Sequence, residues 1–359
     1  MKKILLPLVL FLSVQVLAQE KQLSIIGKVI DSASRQPLAG ASAFCPNTTY
    51  GSVSNNEGLF YLRLPSGGYD LTVSYTGYER RLLRLSNNQT NSDTLVFELV
   101  KQDKALSEVA VVATNEVADG WAKYGNFFLD NFIGTTPNAA NCRLLNPEVL
   151  HFYYTKKRNR LKVTAKEDLV IANDALGYTI RYQLDSFNYD YNTKISQFTG
   201  FPFFIEKDTT EAVKAQFLKN RARTYLGSRL HFMRCLYDST VKEEGFIVEQ
   251  LTGAGAAIKS TQLNDLYNSE IYATDSGEVL IGWNGRYRIS YRSIMPDKRF
   301  LAEFNLPADT RYQITVLDIS DGFVIEQNGY FYDQYDVVNT GYWAWKKLAE
   351  LLPYDYDYE

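Results

Sequence analysis

The chain has 359 residues, 14% of them aromatic, and a formal charge of −3 at pH 7. Its basic residues form no block, which argues against nucleic acid as a partner. Three cysteines and two histidines are too few for a disulfide framework and give little material for a zinc centre, while the length allows two domains with a core each.

Residues 1–18 read as a secretory signal peptide. Lys2 and Lys3 form the charged start, Ile4 to Val16 the apolar middle, and Val16-Leu17-Ala18 a small-residue cleavage site. The apolar run is too short for a bilayer, and no later segment reaches the ~20 apolar residues a transmembrane helix needs. No cysteine directly follows the cleavage site, so lipid attachment is not expected there. Without the signal the formal charge becomes −5. The expectation is an exported protein, periplasmic or associated with the outer membrane, with no transmembrane segment after signal removal.

From Leu23 to Leu99 the chain breaks into short β-branched and aromatic runs separated by turn residues. The expected strands are Leu23–Ile30, Ala41–Phe44, a short one near Val53, Phe60–Leu64, Tyr69–Tyr75, Arg81–Leu85 and Thr94–Leu99. Alternation is clean in Leu71-Thr-Val73-Ser-Tyr75 and in Leu95-Val-Phe97-Glu-Leu99, which places one face of each strand on a core. Asn55-Asn56-Glu57-Gly58 and Pro65-Ser-Gly-Gly68 carry turn chemistry. Strands at this spacing, with no helical period between them, predict a seven-stranded Greek-key β-sandwich over 19–102.

The punctuation of this stretch, Gly27-Lys-Val-Ile-Asp31, Gln36-Pro-Leu38, Gly51, Glu57-Gly58 and Tyr75-Thr-Gly77-Tyr78, resembles the carboxypeptidase regulatory-like domain. That family is a transthyretin-like sandwich common in surface proteins of Gram-negative bacteria. The resemblance implies an accessory module with no peptidase activity of its own. Where the family usually has Thr-Asp before the turn glycine, this chain has Ser54-Asn55, so an acidic cation-holding role for that turn is not carried over. Zinc hydrolysis needs three protein ligands and an open position. Neither His151, followed by Phe-Tyr-Tyr, nor His231, followed by Phe-Met-Arg, has a partner at ligand spacing. No metal and no cofactor is expected.

Residues 103–118 form a linker. Within it, Leu106-Ser-Glu-Val109-Ala-Val-Val112 resembles the strand that follows the same sandwich in TonB-dependent glycan importers, where it pairs with an energy-transducing partner by β-addition. A closing strand or plain linker is the plainer reading and the favoured one, because short Val-rich runs are common strands. The long series of alternating segments that an importer barrel requires does not follow.

Residues 119–359 are expected to be a larger β-rich α+β domain. Asp119 can cap a helix carrying Trp121, Tyr124, Phe128 and Phe132 at helical spacing. Strands are expected at Val149–Thr155, Leu161–Ala165, Thr179–Phe187, Ile195–Ile205, Gly245–Glu249, Glu278–Gly282, Arg286–Tyr291, Arg311–Leu317 and Gly322–Glu326. A closing helix is expected over Gly341–Pro353. The longest helical pattern runs from Thr209 to Tyr237, with Leu218, Ala222, Tyr225, Leu226, Phe232, Met233 and Leu236 on its apolar face. Arg229 would fall inside that face. It would then need an ion-pair partner, unless Gly227-Ser228 breaks the helix or Arg229 faces a bound anion. The candidate ligand-binding residues are therefore Arg223, Tyr225, Arg229 and His231. Arg223-Thr-Tyr225-Leu-Gly-Ser228-Arg-Leu-His231-Phe and Gly341-Tyr-Trp-Ala-Trp345 also resemble the uncharacterised C-terminal portion that accompanies the sandwich in a group of bacterial envelope proteins.

Cys142 and Cys235 are the pair to consider for a disulfide; three buried thiols is the other reading. Ser32, Thr94, Thr209 and Ser239 each follow an aspartate in a pattern resembling the periplasmic O-glycosylation signal of some Gram-negative bacteria. Tyr189, Tyr191, Tyr330, Tyr332 and Tyr335 could form stacking platforms, or serve cross-strand packing. Nucleophile-elbow, phosphate-loop and dinucleotide motifs do not occur, and Ser239-Thr-Val-Lys242 matches Ser-x-x-Lys without its partner motifs. The sequence thus points to a non-catalytic envelope protein that binds a partner protein or a glycan. An envelope hydrolase with a non-standard site, or an accessory of a TonB-dependent uptake system, are the competing expectations.

Overall fold

The computed structural model describes residues 22–85, 94–102, 115–332 and 334–358. The signal segment and the Leu106–Val112 strand lie outside the described residues.

Seven short strands build the N-terminal sandwich, close to their expected limits. One sheet has the order β4 (Leu59–Leu64), β1 (Leu23–Asp31), β7 (Leu95–Leu99); the other runs β3 (Gly51–Val53), β2 (Ser42–Phe44), β5 (Tyr69–Ser74), β6 (Arg81–Leu85). Pairing is antiparallel except between β1 and β7. Period-two alternation does what the sequence implies: Phe60, Leu62 and Leu64 point inward with Ile25, Val29, Leu71, Val73 and Phe97, and in β4 the intervening residues face out. At the turn before β4, Asn55 Oδ1 accepts the Glu57 and Leu59 amides (3.0 and 2.9 Å). Ser54 Oγ accepts the Ala41 amide and donates to the Leu38 carbonyl. These two residues hold the turn together.

The larger part holds two cores rather than one. The first belongs to a six-stranded sheet whose spine is β12 (Tyr178–Asp190). Along one edge β12 pairs with β13 (Ile195–Glu206); along the other it takes β11 (Leu169–Asn173) at its start and β10 (Arg160–Ala165) near its end. β8 (Cys142–Leu144) and β9 (Leu150–Thr155) flank these. Helix α1 (Gly120–Phe132) lies on this sheet, with Phe128 and Phe132 fully buried against Phe152, Phe187, Tyr182 and Phe198. Asp119 stands at its N-cap but makes no side-chain cap bond.

The second core lies between two further sheets. Five strands run β15 (Lys259–Gln262), β14 (Phe246–Thr252), β18 (Gly285–Tyr291), β19 (Gln313–Ile319), β21 (Val337–Gly341), and three run β16 (Tyr272–Asp275), β17 (Glu278–Ile281), β20 (Phe323–Glu326). Phe232, Trp283, Leu317, Phe323 and Phe331 are buried at its centre.

Two helical expectations are corrected. The pattern from Thr209 to Tyr237 is not one continuous helix; the alternative in which Gly227-Ser228 breaks it holds, giving α2 (Glu211–Tyr225) and α3 (Arg229–Tyr237). Gly227 breaks it with φ +73°, a left-handed conformation that glycine adopts without steric cost, and Ser228 Oγ then caps α3 through the His231 amide. The break lets α2 serve the first core through Tyr225 and α3 serve the second through Phe232, Met233 and Leu236. Leu218, expected on the apolar face, is 55% exposed. The closing helix shrinks to one turn, α5 (Tyr342–Trp345), and a 3-10 turn at Leu348–Glu350. Its apolar residues belong to different clusters: Trp343 to the second core, Trp345 to a small cluster around Phe300 of α4 (Lys298–Glu303), and Leu348 and Leu352 to the first core. No single helix face could reach all three.

Candidate functional site

Around the α2–α3 break the structure brings together Tyr225 and His231, with ring centroids 4.8 Å apart, but not the two arginines. The Gly227 amide donates to His231 Nδ1 (3.1 Å), which places the ring proton on Nε2, 3.4 Å from Glu244 Oε2. Burial holds the imidazole below its ordinary pKa, and Glu244 partly opposes that shift. His231 is thus a packed, fully partnered residue between Tyr225, Phe246 and Tyr291. Burial likewise pushes the Tyr225 hydroxyl up. Arg223 is exposed and reaches Asn138 at 3.4 Å, whereas Arg229 is half-buried over the Phe331 ring at 5.4 Å.

The buried guanidinium that sequence reasoning assigned to Arg229 is in fact at Arg221. It donates to the Leu176 carbonyl (2.8 Å) and to Glu206 (2.7 Å), and it covers the Tyr178 ring at 3.9 Å. The available signal was its place four residues before Tyr225, on the same helix face.

Cys142 and Cys235 are not joined: all three cysteines are free, each packed with a different core. Burial pushes the Cys142 and Cys235 thiols up to about 12, so they are poor nucleophiles. Thr94 and Ser239 are exposed; Ser32 and Thr209 are half-buried. Tyr189 and Tyr191 pack on Phe127, while Tyr330 and Tyr332 are buried with Tyr354. Ring-on-ring packing therefore accounts for these four; the Tyr335 side chain lies outside the described part. Among the described residues, no group of three or more His, Cys, Asp or Glu side chains is placed to hold a metal ion.

Among the described residues an open cleft lies elsewhere, where the sandwich meets the six-stranded sheet. The loop after β2 is hydrogen-bonded into this junction: Asn47 N–H donates to the Pro202 carbonyl and Phe204 N–H to the Thr48 carbonyl. The chain's C-terminal stretch closes it from behind, since the Tyr354 amide bonds to the Asn47 carbonyl and Asp355 accepts both the amide and the hydroxyl of Thr49. Burial raises the Asp355 pKa. Asn328 exchanges two hydrogen bonds with Gly68, Tyr330 donates to Asp70, and Arg80 pairs with Asp185 while covering Phe201.

At this junction is a cleft of about 180 Å³. Its sandwich wall comes from Ser42 and Phe44 of β2 and from Gly51, Ser52 and Val53 of β3; its other wall comes from Asp168, Arg181, Gln183 and Phe203. Strand geometry positions the second wall. Arg181 and Gln183 are two apart on β12 and share a face, Arg181 lies opposite Phe203 in the ladder, and Asp168 directly precedes β11. Phe44 and Phe203 meet at 5.4 Å and 55°. A Cβ on Gly51 would sit 2.7 Å from the Phe203 ring, so only glycine permits this approach. Gln183 donates to Ser74 Oγ (3.3 Å), and its amide also lies beside the Asp168 carboxylate. Partial burial pushes Asp168 up, offset in part by the Arg181 charge and the Gln183 amide. Sequence reasoning missed this site altogether, because its two walls are more than a hundred residues apart.

Comparison with known proteins places residues 25–111 in the family described as CarboxypepD_reg-like domain. The sandwich is therefore a carboxypeptidase regulatory-like domain, and the match covers about a quarter of the chain. No curated protein sequence matches. Among solved structures, the TIE protein of Bacillus anthracis is 13% identical over 53% of this chain, at a TM-score of 0.19, and the match spans 32% of that protein's own length. A protein of unknown function from Bacteroides fragilis is 12% identical, at a TM-score of 0.19, over 86% of this chain and 98% of its own. At such scores neither carries an argument. No helix among the described residues is long and apolar enough to cross a membrane, which leaves β-barrels unaddressed.

Proposed function

We propose that the chain is exported and acts at the cell envelope as a non-catalytic binding or scaffolding protein. The regulatory-like sandwich is its structural accessory, and the larger part presents the surface that takes a partner protein or a glycan. One observation carries this reading: the cleft needs both parts, with Phe44 and Val53 from the sandwich and Asp168, Arg181 and Phe203 from the larger sheet. A cleft built across a hydrogen-bonded junction is a usual place for a ligand. Its volume, small beside the ~300–1,000 Å³ of sites that bury a drug-sized molecule, suits one side chain or one sugar ring of a larger partner. Its lining holds a single carboxylate, whereas glycoside hydrolysis is ordinarily carried by a pair.

Purified protein incubated with peptide and glycan libraries should retain bound material and release no product. Turnover that disappears in Asp168→Asn would contradict the reading and favour a hydrolase.

A further inference from the structure

The composition of the junction cleft narrows what it can hold. Its fixed charges are one carboxylate, Asp168, and one guanidinium, Arg181, so the lining has no net charge with which to select an anion or a cation. Gln183 stands beside them, its amide next to the Asp168 carboxylate and donating to Ser74. A row of carboxylate, guanidinium and amide offers strong acceptors and strong donors within one short span of sheet. A hydroxyl group can use both at once, donating to the carboxylate and accepting from the guanidinium. An ammonium would use only the first and a carboxylate only the second, each leaving the opposite charge facing it. The remaining walls, Phe44, Phe203 and Val53, are apolar. The lining therefore suits a neutral occupant with adjacent hydroxyls along one edge and C–H groups on a face that packs against Phe203. A pyranose ring has that amphipathic form.

We infer that the junction cleft binds a neutral pyranose, the end unit or an exposed ring of a glycan, with adjacent hydroxyls on Asp168 and Arg181 and its C–H face on Phe203. The inference rests on the reading of this cleft as the binding site and names its ligand class. Arg181 is exposed and serves no core, so its removal tests the site without threatening the fold.

The test is saturation-transfer NMR on the full chain with the methyl glycosides of glucose, galactose, mannose and N-acetylglucosamine. Methyl glucuronide and N-acetyl amino-acid amides serve as charged and peptide comparators. The expected result is saturable binding of at least one neutral glycoside, weakened about tenfold or more in Arg181→Ala and in Phe203→Ala, and unchanged in Leu218→Ala on the exposed face of α2. Near-ultraviolet circular dichroism establishes that each variant is folded. Should Phe203→Ala unfold, Arg181→Ala decides alone. The inference is overturned if no neutral glycoside saturates, if binding survives Arg181→Ala, or if the glucuronide or a peptide comparator binds more tightly. A peptide result, abolished by the same variants, would leave the cleft as the binding site and remove only the sugar. Charged or neutral ligands that bind regardless of both variants would remove the cleft itself.

Discussion

The surroundings of His231 and the junction cleft are made of the same materials, aromatic rings with a carboxylate and a guanidinium, and they come out as opposites. Around His231 the imidazole has a partner on each nitrogen, Arg234 bonds the Asn328 and Tyr354 carbonyls, and the rings of Tyr225, Phe246 and Tyr291 close the space. At the cleft, Asp168 and Arg181 border open volume. The first is the seam between two cores that fold against each other. The second lies between surfaces that each have their own core and meet through loops and through strand contacts such as Phe44 on Phe203 and Gln183 to Ser74. At the seam the polar groups are consumed by the fold; at the junction most are as well, in the pairs that dock it, and Asp168 and Arg181 are the charged groups that line the cleft.

That contrast can be broken at several points. The largest effect should come from Gly227→Ala, because φ is +73° and a Cβ would lie 2.4 Å from the Tyr291 ring. A loss of about 2–3 kcal/mol in denaturant-measured stability is expected, with little change at the cleft. Next, Arg221→Met removes buried hydrogen bonds to Leu176 and Glu206 and should cost about 2 kcal/mol. Arg181→Ala, an equal loss of charge at the cleft, should stay within about 0.5 kcal/mol of the parent. Comparable costs for the two arginines would erase the distinction drawn here.

A smaller effect concerns pH. The folded-state pKa of His231 lies below its ordinary value of 6.5, so the unfolded chain takes up this proton first. Stability from this group is therefore complete above pH 6.5 and falls as the pH drops from there towards the folded pKa. Its slope is bounded by about 1.4 kcal/mol per pH unit. Thermal melts between pH 7.5 and 5 should show the fall in the parent and a shallower one in His231→Gln. A parent profile with no fall would mean that the imidazole charges freely where it sits.

The sandwich was legible in the sequence because its signals are local. Alternation in β4 and β5 and the Asn55–Gly58 turn each act within a few residues, and all seven strands stand close to where that pattern puts them. The larger part was legible only in pieces. β12 and β13 declare themselves by length, but β11, a central strand buried on both faces, shows no alternation in Leu169-Val-Ile-Ala-Asn173 and was missed. The two helices within Thr209–Tyr237 look continuous in apolar pattern, and Gly227-Ser228 marks a candidate break without deciding it, because the separation rests on one glycine conformation. The cleft could not be read at all. Its walls come from residues 42–53 and 168–203, and the bonds between Thr49 and Asp355 that brace the junction span 306 residues. Such a site depends on docking geometry, to which periodicity is blind.

The account depends most on the cleft being an occupied interface in the cell. The direct measurement places a photo-crosslinking amino acid at Val53, whose side chain is 62% exposed at the cleft wall, in the full chain within cells that export it, with Val338 (56% exposed, on β21) as the comparison position. A defined adduct at position 53 that is lost when Phe203→Ala is added, with none at 338, is the predicted result. Adducts at 338 alone, or equal adducts at both positions that ignore Phe203→Ala, would contradict it.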